Sequence, residues 1–288
     1  MKKAISIILL ILLVSSVCFG LIACGSSGSD PVSTDGQEGE SPEKVLRVGM
    51  ECAYAPFNWT QPDDSNGAVP ISGTNDYAYG YDVMVAKKVA ESMGAKLEVY
   101  KIEWDGLIPA LQSDKIDAVI AGMCITEERS MSIDFSDVYY KAGIVAITTK
   151  GNAFEGAKSL AELSGARVTS QLNSVWYDMI DQIPGVKKTT ALDTVPNVIV
   201  SLTSGKSDAV VVDMPTAIAA QYSNSDIVIL DLSGGDFKVE PGDVNMGIGV
   251  KKGNTELLDA VNAAVSNFTE ADIEAMMDEA VAKQPLAQ

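Results

Sequence analysis

The distribution of apolar and polar positions along the chain predicts alternating strands and helices. Residues 44–50 alternate apolar and polar side chains and are rich in strand-forming types, which predicts a strand. In residues 80–94 the apolar side chains recur at helical spacing before a final glycine, which predicts a helix and its end. A strand, a short helix and a strand buried on both faces are predicted next, over residues 95–102, 105–115 and 116–123. This order is typical of right-handed βαβ units and therefore of an α/β sheet.

The same plan returns after Lys150. The order strand, helix, strand, helix, strand is predicted again, over residues 165–171, 174–183, 186–192, 193–206 and 207–213. A late strand at 245–253 and helices within 256–281 complete the chain. Two helix starts have plausible N-cap residues, Asp105 and Ser174, because both side chains accept hydrogen bonds from free backbone N–H groups.

Two similar strings mark equivalent corners of these two halves. Residues 110–122 have the sequence ALQSDKIDAVIAG and residues 201–213 have SLTSGKSDAVVVD, with six of thirteen positions identical. Each string runs from a predicted helix into a predicted buried strand. The chain is therefore predicted to form two similar α/β lobes. The strings differ at their last residue, which is Gly122 in the first and Asp213 in the second.

The amino-acid composition limits the kinds of function that the chain can have. The chain has 288 residues, 47% of them apolar, which suffices for two buried cores. Its net charge of −18 and its lack of a basic run argue against nucleic acid as a partner. There is no histidine, which removes the commonest metal ligand and His-dependent catalysis. We predict a protein without cofactor, metal or catalytic residues.

The N-terminal segment predicts export. Two lysines, an apolar run and small residues before Cys24 form the layout of a signal peptide over residues 1–23. The sequence LIAC followed by glycine resembles a lipobox, so Cys24 is the predicted lipidation site, palmitate included, with the chain held on the extracytoplasmic face of the cell membrane. The alternative is an uncleaved membrane helix over residues 4–23. Residues 24–43 are rich in Gly, Ser and acidic residues, which predicts a flexible tether.

Candidate binding residues follow the two repeated strings. Ligands of open α/β sheets bind beyond the carboxyl ends of the strands, where Gly122 and Asp213 both lie. Arg129, seven residues past Gly122, could grip a carboxylate with two hydrogen bonds, and Asp213 could pair with an ammonium group. Together they suit an amino acid. Taken singly, Arg129 could equally form a surface ion pair, Asp213 could end a turn or cap a helix, and Ser174 could only begin a helix.

The amino-acid sequence of these segments resembles that of the extracellular solute-binding proteins of amino-acid ABC transporters, family 3, which have a type II periplasmic-binding fold. The resemblance covers residues from about 46 to the C-terminal helices, and its most specific part is 104–140, thirty-seven residues without a gap. The matching strings are LRVGMECAYAPFNW, GYDVMVAKKVAESMG, WDGLIPALQSDKIDAVIAGMCITEERSMSIDFSDVYY, SLTSGKSDAVVVD and GIGVKKGN.

The resemblance implies a role for each candidate. Arg129 would hold the ligand α-carboxylate, helped by Ser174, and Asp213 would pair with the α-ammonium group. Tyr54 and Trp104 would enclose the ligand side chain. The remaining implied contacts are the backbone of Gly122, the side chains of Cys124 and Thr126, and Glu51 at the far end of the pocket.

The resemblance also implies the domain organisation. Each lobe would be a mixed, mostly parallel sheet flanked by helices, and two hinge crossings would join the lobes. The predicted segments are residues 44–145 for the first part of lobe 1, 146–244 for lobe 2 and 245–288 for the return to lobe 1.

Three departures from the family pattern are visible. Cys124 stands where Ser or Thr is common, Asn173 and Val175 flank Ser174 where Gly and Thr are frequent, and residues 60–79 are longer than usual. The long segment predicts a surface insertion, with a flap over the cleft as the alternative. Cys52 and Cys124 should both follow neighbouring strands; we expect two buried thiols, with a disulfide as the alternative.

The sequence therefore predicts a monomeric, lipid-anchored receptor that captures an amino acid between closing lobes and delivers it to an ABC permease. The two aromatic walls favour a neutral or polar ligand, aromatic or sulfur-containing ones included, whereas Glu51 would suit a basic one. The alternatives are an enzyme on this fold, similar to cyclohexadienyl dehydratase, and a sensor or adhesin.

Overall fold

The computed structural model describes residues 43–285. The predicted signal peptide, Cys24 and all of the tether except Glu43 lie outside these residues. The strands are β1 (Val45–Met50), β2 (Ala53–Tyr54), β3 (Asn58–Gln61), β4 (Val69–Pro70), β5 (Tyr77–Tyr79), β6 (Lys96–Lys101), β7 (Ala118–Val119), β8 (Ile133–Lys141), β9 (Ile144–Thr149), β10 (Arg167–Thr169), β11 (Lys187–Lys188), β12 (Ala209–Asp213), β13 (Ile227–Ile229) and β14 (Asn245–Lys251). The helices are α1 (Tyr81–Ser92), α2 (Leu107–Gln112), α3 (Glu127–Ser132), α4 (Val175–Met179), α5 (Val195–Thr203), α6 (Met214–Ser223), α7 (Pro241–Val244), α8 (Thr255–Val265) and α9 (Glu270–Lys283).

Two five-stranded sheets share one plan. The first has the order β6-β1-β7-β14-β8 and the second the order β11-β10-β12-β9-β13. In each sheet three strands run parallel, the fourth is antiparallel to both its neighbours, and the fifth restores the common direction. The predicted α/β class with mixed, mostly parallel sheets is confirmed.

Helices pack against both sheets and bury an apolar core. In the first sheet the predicted helical stripe of α1 is buried at Val83, Ala86, Val89 and Ala90. In the second sheet all five residues of β12 are buried, as expected for a strand covered on both faces. The chain crosses between the two sheets twice. It passes from β8 of the first sheet to β9 of the second between Lys141 and Ile144, and it returns through α7 into β14 of the first sheet. The lobe boundaries drawn from the sequence stay a prediction.

The long segment at residues 60–79 forms part of a small antiparallel sheet with the order β2-β3-β5-β4. Ile71 is buried and bridges to Val99 in β6, the edge strand of the first sheet. The segment therefore continues the first sheet at its edge, which favours a surface insertion over a flap.

The repeated strings have a structural explanation in two matching ion pairs. The Asp117 carboxylate accepts hydrogen bonds from the backbone N–H and from the guanidinium of Arg47, in the first strand of its sheet. The Asp208 carboxylate accepts the same set from Arg167, in β10 of the other sheet. A further guanidinium N–H of each arginine reaches the carbonyl of Asp114 or Gly205, just before the strand. We call these two ion pairs the Arg–Asp clamps.

Two predictions from the sequence are wrong in detail. Asp105 does not cap α2, because the helix begins at Leu107 and the Asp105 carboxylate accepts a hydrogen bond from Asn173 instead. The strand predicted over 116–123 is paired only at β7, although its residues are buried. The chain leaves the sheet soon afterwards because Gly122 adopts a positive φ of 60°.

Within residues 43–285 no helix is both long and apolar enough to cross a membrane. The predicted alternative of an uncleaved membrane helix over residues 4–23 lies outside the described residues.

The Arg–Asp clamps should contribute to stability. Replacing Asp117 by alanine is expected to lower the free energy of unfolding by roughly 1–2 kcal/mol, because Arg47 loses an ionised acceptor that also satisfies its backbone N–H. Asp231→Ala is the matched control, since its pair with Lys158 is 64% and 61% exposed and exposed pairs contribute roughly 0–1 kcal/mol. Urea denaturation measures both; equal losses would contradict a structural role for the clamp.

Candidate functional site

The carboxyl ends of parallel strands from both sheets meet at one junction. Glu51 follows β1, and the side chain of Gln171, which follows β10, donates to both of its oxygens at 3.1 Å. The hydroxyl of Tyr54, also beyond β1, donates to the carboxylate of Asp213 at the end of β12 over 2.6 Å. Side chains of the segment after β1 thus bond directly to side chains at the ends of β10 and β12, at the place where the sequence predicts a ligand.

Asp213 is held by two structural roles at once. It ends β12 and caps α6, where its carboxylate accepts the N–H of Thr216 at 2.7 Å. The residue is 0% exposed. Burial raises the pKa of its carboxyl group, and the hydrogen bonds from Tyr54 and Thr216 oppose that shift. The alternative in which Asp213 caps a helix is confirmed, and its pairing with a ligand ammonium group stays a prediction.

Tyr54 and Gly122 fit together closely. The Tyr54 ring stacks on Phe57 with 4.8 Å between centroids, and a Cβ atom at position 122 would come within 2.6 Å of Tyr54 Cε1. Glycine is therefore required at 122 both for its conformation and for this approach. The N–H of Gly122 donates to the Tyr139 hydroxyl at 2.9 Å, so the carbonyl is the part of its backbone left to meet a ligand.

Arg129 lies in α3, whose first N–H groups are capped by Thr126. Its guanidinium donates to the carbonyls of Cys124 at 3.0 Å and Asn173 at 3.1 Å and lies 5.2 Å above the Trp104 ring. Within residues 43–285 no carboxylate lies within ion-pair distance of it, so the alternative of a surface ion pair is not observed. Burial lowers the pKa of the guanidinium, which keeps its charge nonetheless.

The turn before α4 brings Asn173 to this arginine. Asn173 adopts a positive φ of 54°, and its carbonyl accepts from Arg129 and, at 3.2 Å, from Trp104 Nε1. The next residue, Ser174, caps α4 as predicted and donates to the Gln171 carbonyl. The Ser174 hydroxyl therefore makes its hydrogen bonds within its own turn and the helix that it caps.

Glu51 is a buried acid whose hydrogen-bond donor is an amide. It is 3% exposed, and burial raises its pKa to about 7, with the Gln171 bond opposing the shift and the charges of Glu103, Asp193 and Asp105 adding to it. No lysine or arginine of the described part of the chain forms an ion pair with it. Gln171 was missed from the sequence, although it follows a strand of the second sheet just as Glu51 follows one of the first.

Both cysteines of the described part are free thiols, so the expectation of two buried thiols is confirmed and the disulfide alternative is wrong. The Cys124 Sγ donates to the carbonyl of Asp243 at 3.4 Å. Burial raises the pKa of both thiols to about 12, which keeps them protonated.

The junction can therefore bind groups of both charges. It offers one guanidinium whose acceptors are carbonyls and two buried carboxylates whose donors are neutral groups. Within the described residues no group of three or more acidic or thiol side chains has a metal-binding arrangement.

Two mixed α/β sheets joined by two crossings, with polar side chains at the junction, define a binding protein of the type II periplasmic class. The chain belongs to the bacterial extracellular solute-binding proteins, family 3, whose family model matches residues 46–279.

Relatives and solved structures agree with this assignment. The arginine-binding extracellular protein ArtP of Bacillus subtilis is 30% identical over 90% of this chain and 91% of its own. The L-cystine-binding protein TcyJ of Escherichia coli is 32% identical over 78% of this chain and 77% of its own. The crystal structure of the amino-acid ABC transporter substrate-binding protein AbpA of Streptococcus pneumoniae, bound to L-arginine, matches with a TM-score of 0.71 and 27% identity over 83% of this chain and 94% of that one.

The hydrogen bond between Tyr54 and Asp213 should stabilise the protein. Tyr54→Phe leaves a buried carboxylate short of one donor, and we expect a loss of roughly 1–3 kcal/mol in the free energy of unfolding. Tyr177→Phe is the control, because its hydroxyl donates to an uncharged backbone carbonyl, that of Thr189, and its loss should cost roughly 1 kcal/mol. Urea denaturation measures both variants; an unchanged Tyr54→Phe protein would contradict the bond.

Proposed function

We propose that the protein is a receptor for an amino acid with a cationic side chain. The observation that carries this proposal is the set of buried charges at the junction. Glu51 and Asp213 are buried carboxylates that hydrogen-bond only to neutral donors, whereas Arg129 is a guanidinium with carbonyl acceptors. A ligand with one carboxylate and two cationic groups complements all three.

The α-carboxylate would bind Arg129. At present that guanidinium donates to the Asn173 carbonyl, and a carboxylate is a stronger acceptor for the same N–H groups. The ligand would replace the Asn173 contact, with the Trp104 ring beside it. The α-ammonium group would meet Asp213 and the carbonyl of Gly122.

The ligand side chain would reach Glu51. The amide of Gln171 now supplies the donor that a ligand ammonium or guanidinium group would supply with full charge. The sequence alone favours a neutral or polar ligand because of Tyr54 and Trp104. The burial of Glu51 and its like-charged surroundings support the basic alternative. Arginine appears in the names of two of the three proteins compared above, and cystine in the third, so the family resemblance supports an amino acid without deciding its side chain.

We further propose that the protein is lipid-anchored through Cys24, that its lobes close on the ligand, and that it delivers the ligand to an ABC permease. The lipobox-like LIAC sequence and the flexible tether support the anchor. The crossings at Lys141–Ile144 and before Asn245 are natural hinges, and a ligand that touches both sheets favours the closed form by its differential affinity.

The enzyme and adhesin alternatives find less support. In the proposed site Arg129 and Asp213 would hold an intact zwitterion, and the relatives compared above are named as binding proteins. Incubation with prephenate or arogenate tests the enzyme directly, since product formation would refute a pure receptor.

A thermal-shift screen of the twenty amino acids and cystine tests the proposed function. L-Arginine or L-lysine should raise the melting temperature most, because either one complements all three charged groups of the proposed site. A ligand at a hundred times its Kd stabilises the folded state by roughly 2.7 kcal/mol. Arg129→Ala should weaken binding by roughly 30-fold or more, since a buried charge partner is lost. Arg167→Ala is the matched control: it breaks an Arg–Asp clamp and should lower stability while leaving the affinity unchanged. Equal affinities in the two variants would refute the site.

The proposed cation at Glu51 predicts a pH dependence. The raised pKa of about 7 means that Glu51 is protonated below pH 7 and ionised above it. A cationic side chain requires the ionised form, so affinity should increase roughly tenfold between pH 6 and pH 8. Isothermal titration calorimetry measures this. Glu51→Gln should bind more weakly and lose the dependence, and a pH-independent affinity of the unmodified protein would contradict a cation at Glu51.

A further inference from the structure

A third buried carboxylate lies behind the junction and does not face the proposed ligand. Asp82 is the second residue of α1 and is 0% exposed. Burial raises the pKa of its carboxyl group to about 6, while hydrogen bonds from Tyr139, Asn58 and the nearby backbone of Gly122 oppose the shift. Within the described residues no lysine or arginine pairs with it. Burying a carboxylate without a cationic partner costs free energy, and hydrogen bonds from neutral donors offset that cost at Asp82.

One oxygen of Asp82 connects to the loop after β7. The Tyr139 hydroxyl donates to Asp82 Oδ1 at 2.7 Å, and the same hydroxyl accepts the N–H of Gly122 at 2.9 Å. Gly122 has a positive φ of 60° and packs directly under the Tyr54 ring.

The other oxygen connects to the loop after β1. Asn58 Nδ2 donates to Asp82 Oδ2 at 2.7 Å, and Asn58 Oδ1 accepts the N–H of Cys52 at 2.7 Å. Cys52 also has a positive φ, of 53°, a conformation that is unfavourable for a non-glycine residue. It stands between Glu51 and Tyr54.

We propose that Asp82 is a positioning residue that sets the backbone of both ligand-facing loops of the first sheet through these two relays. This inference rests on the proposed function, because the loops carry Glu51, Tyr54 and Gly122. A carboxylate suits both relays, because Asp82 accepts from two side-chain donors. Each donor also accepts a loop N–H, Tyr139 with the same hydroxyl and Asn58 with its amide oxygen.

An amide in its place weakens one relay. In Asp82→Asn, one carboxylate oxygen becomes an NH₂ group that faces either the Tyr139 hydroxyl or Asn58 Nδ2. In the first case the hydroxyl has to accept from both the new amide and Gly122, so its own proton loses its acceptor; in the second case Asn58 has to turn over and release the N–H of Cys52. One relay is therefore weakened or broken, although the volume is unchanged.

The experiment compares Asp82→Asn, Tyr139→Phe and the double variant with Tyr79→Phe. Tyr79 is the matched control because its hydroxyl also donates to a carboxylate, Glu279 Oε1 at 2.7 Å. That carboxylate lies in α9, and among residues 43–285 it hydrogen-bonds to Tyr79 and Lys283 and not to the two loops. The measurements are melting temperature, affinity for L-arginine and L-lysine by calorimetry, and hydrogen exchange of peptides containing Cys52 and Gly122 by mass spectrometry.

Asp82→Asn and Tyr139→Phe should each weaken the binding of both amino acids by roughly tenfold, with the ratio of the two affinities unchanged. The double variant should lose less affinity than the sum of the two single losses, since Tyr139 and Asp82 act on Gly122 through the bond they share. Exchange should accelerate at Gly122 in Tyr139→Phe and at Gly122 or Cys52 in Asp82→Asn, whereas Tyr79→Phe should lower the melting temperature without changing affinity or loop exchange.

Three results would overturn the inference: unchanged affinity in folded variants, additive losses in the double variant, or an equal loss of affinity in Tyr79→Phe. Failure of the proposed function looks different, because the unmodified protein would then bind neither amino acid. In that case the exchange measurement still decides whether Asp82 holds the loops, and unchanged exchange at both peptides would refute it. Should Asp82→Asn fail to fold, Tyr139→Phe alone decides the Gly122 relay.

Discussion

The structure depends on keeping carboxylates buried without lysine or arginine beside them. Desolvation penalises each of Glu51, Asp82 and Asp213, and each is stabilised by neutral donors supplied from a different part of the chain. Asp213 shows the constraint most plainly, because the end of β12, the start of α6 and the hydroxyl of Tyr54 from β2 all meet at its carboxylate. The bonds of Tyr54 to Asp213 and of Gln171 to Glu51 hold the segment after β1 against the ends of β12 and β10, and the proposed binding chemistry depends on that contact.

The three arginines of the chain show how geometry separates structure from function. Arg47 and Arg167 each pair with an aspartate from a repeated string, within their own sheet. Arg129 donates only to carbonyls and lies over an aromatic ring. A sequence shows three similar side chains. The presence or absence of an acidic partner decides which of them can accept a ligand carboxylate.

Much of the architecture could be predicted because it follows from local patterns. Alternation predicts β1, helical spacing predicts α1, and the repeated strings predict two sheets of one plan. The candidate site was reached by the rule that ligands lie beyond strand ends. That reasoning did not identify Gln171, the carbonyl of Asn173 or Asp82. Their roles arise from backbone conformation and from partners more than forty residues away, such as Glu51, Arg129 and Tyr139, which no local pattern encodes.

The paired clamps have a consequence for how such a chain can be rebuilt. Each clamp closes within a single sheet, and neither spans the junction. Each sheet therefore has its own Arg–Asp clamp, which does not depend on the sequence of the other sheet. A chimaera that joins the first sheet of this protein to the second sheet of a relative would therefore keep the Arg47–Asp117 clamp intact. The contacts between the two halves, such as that of Tyr54 with Asp213, would have to be matched at the junction.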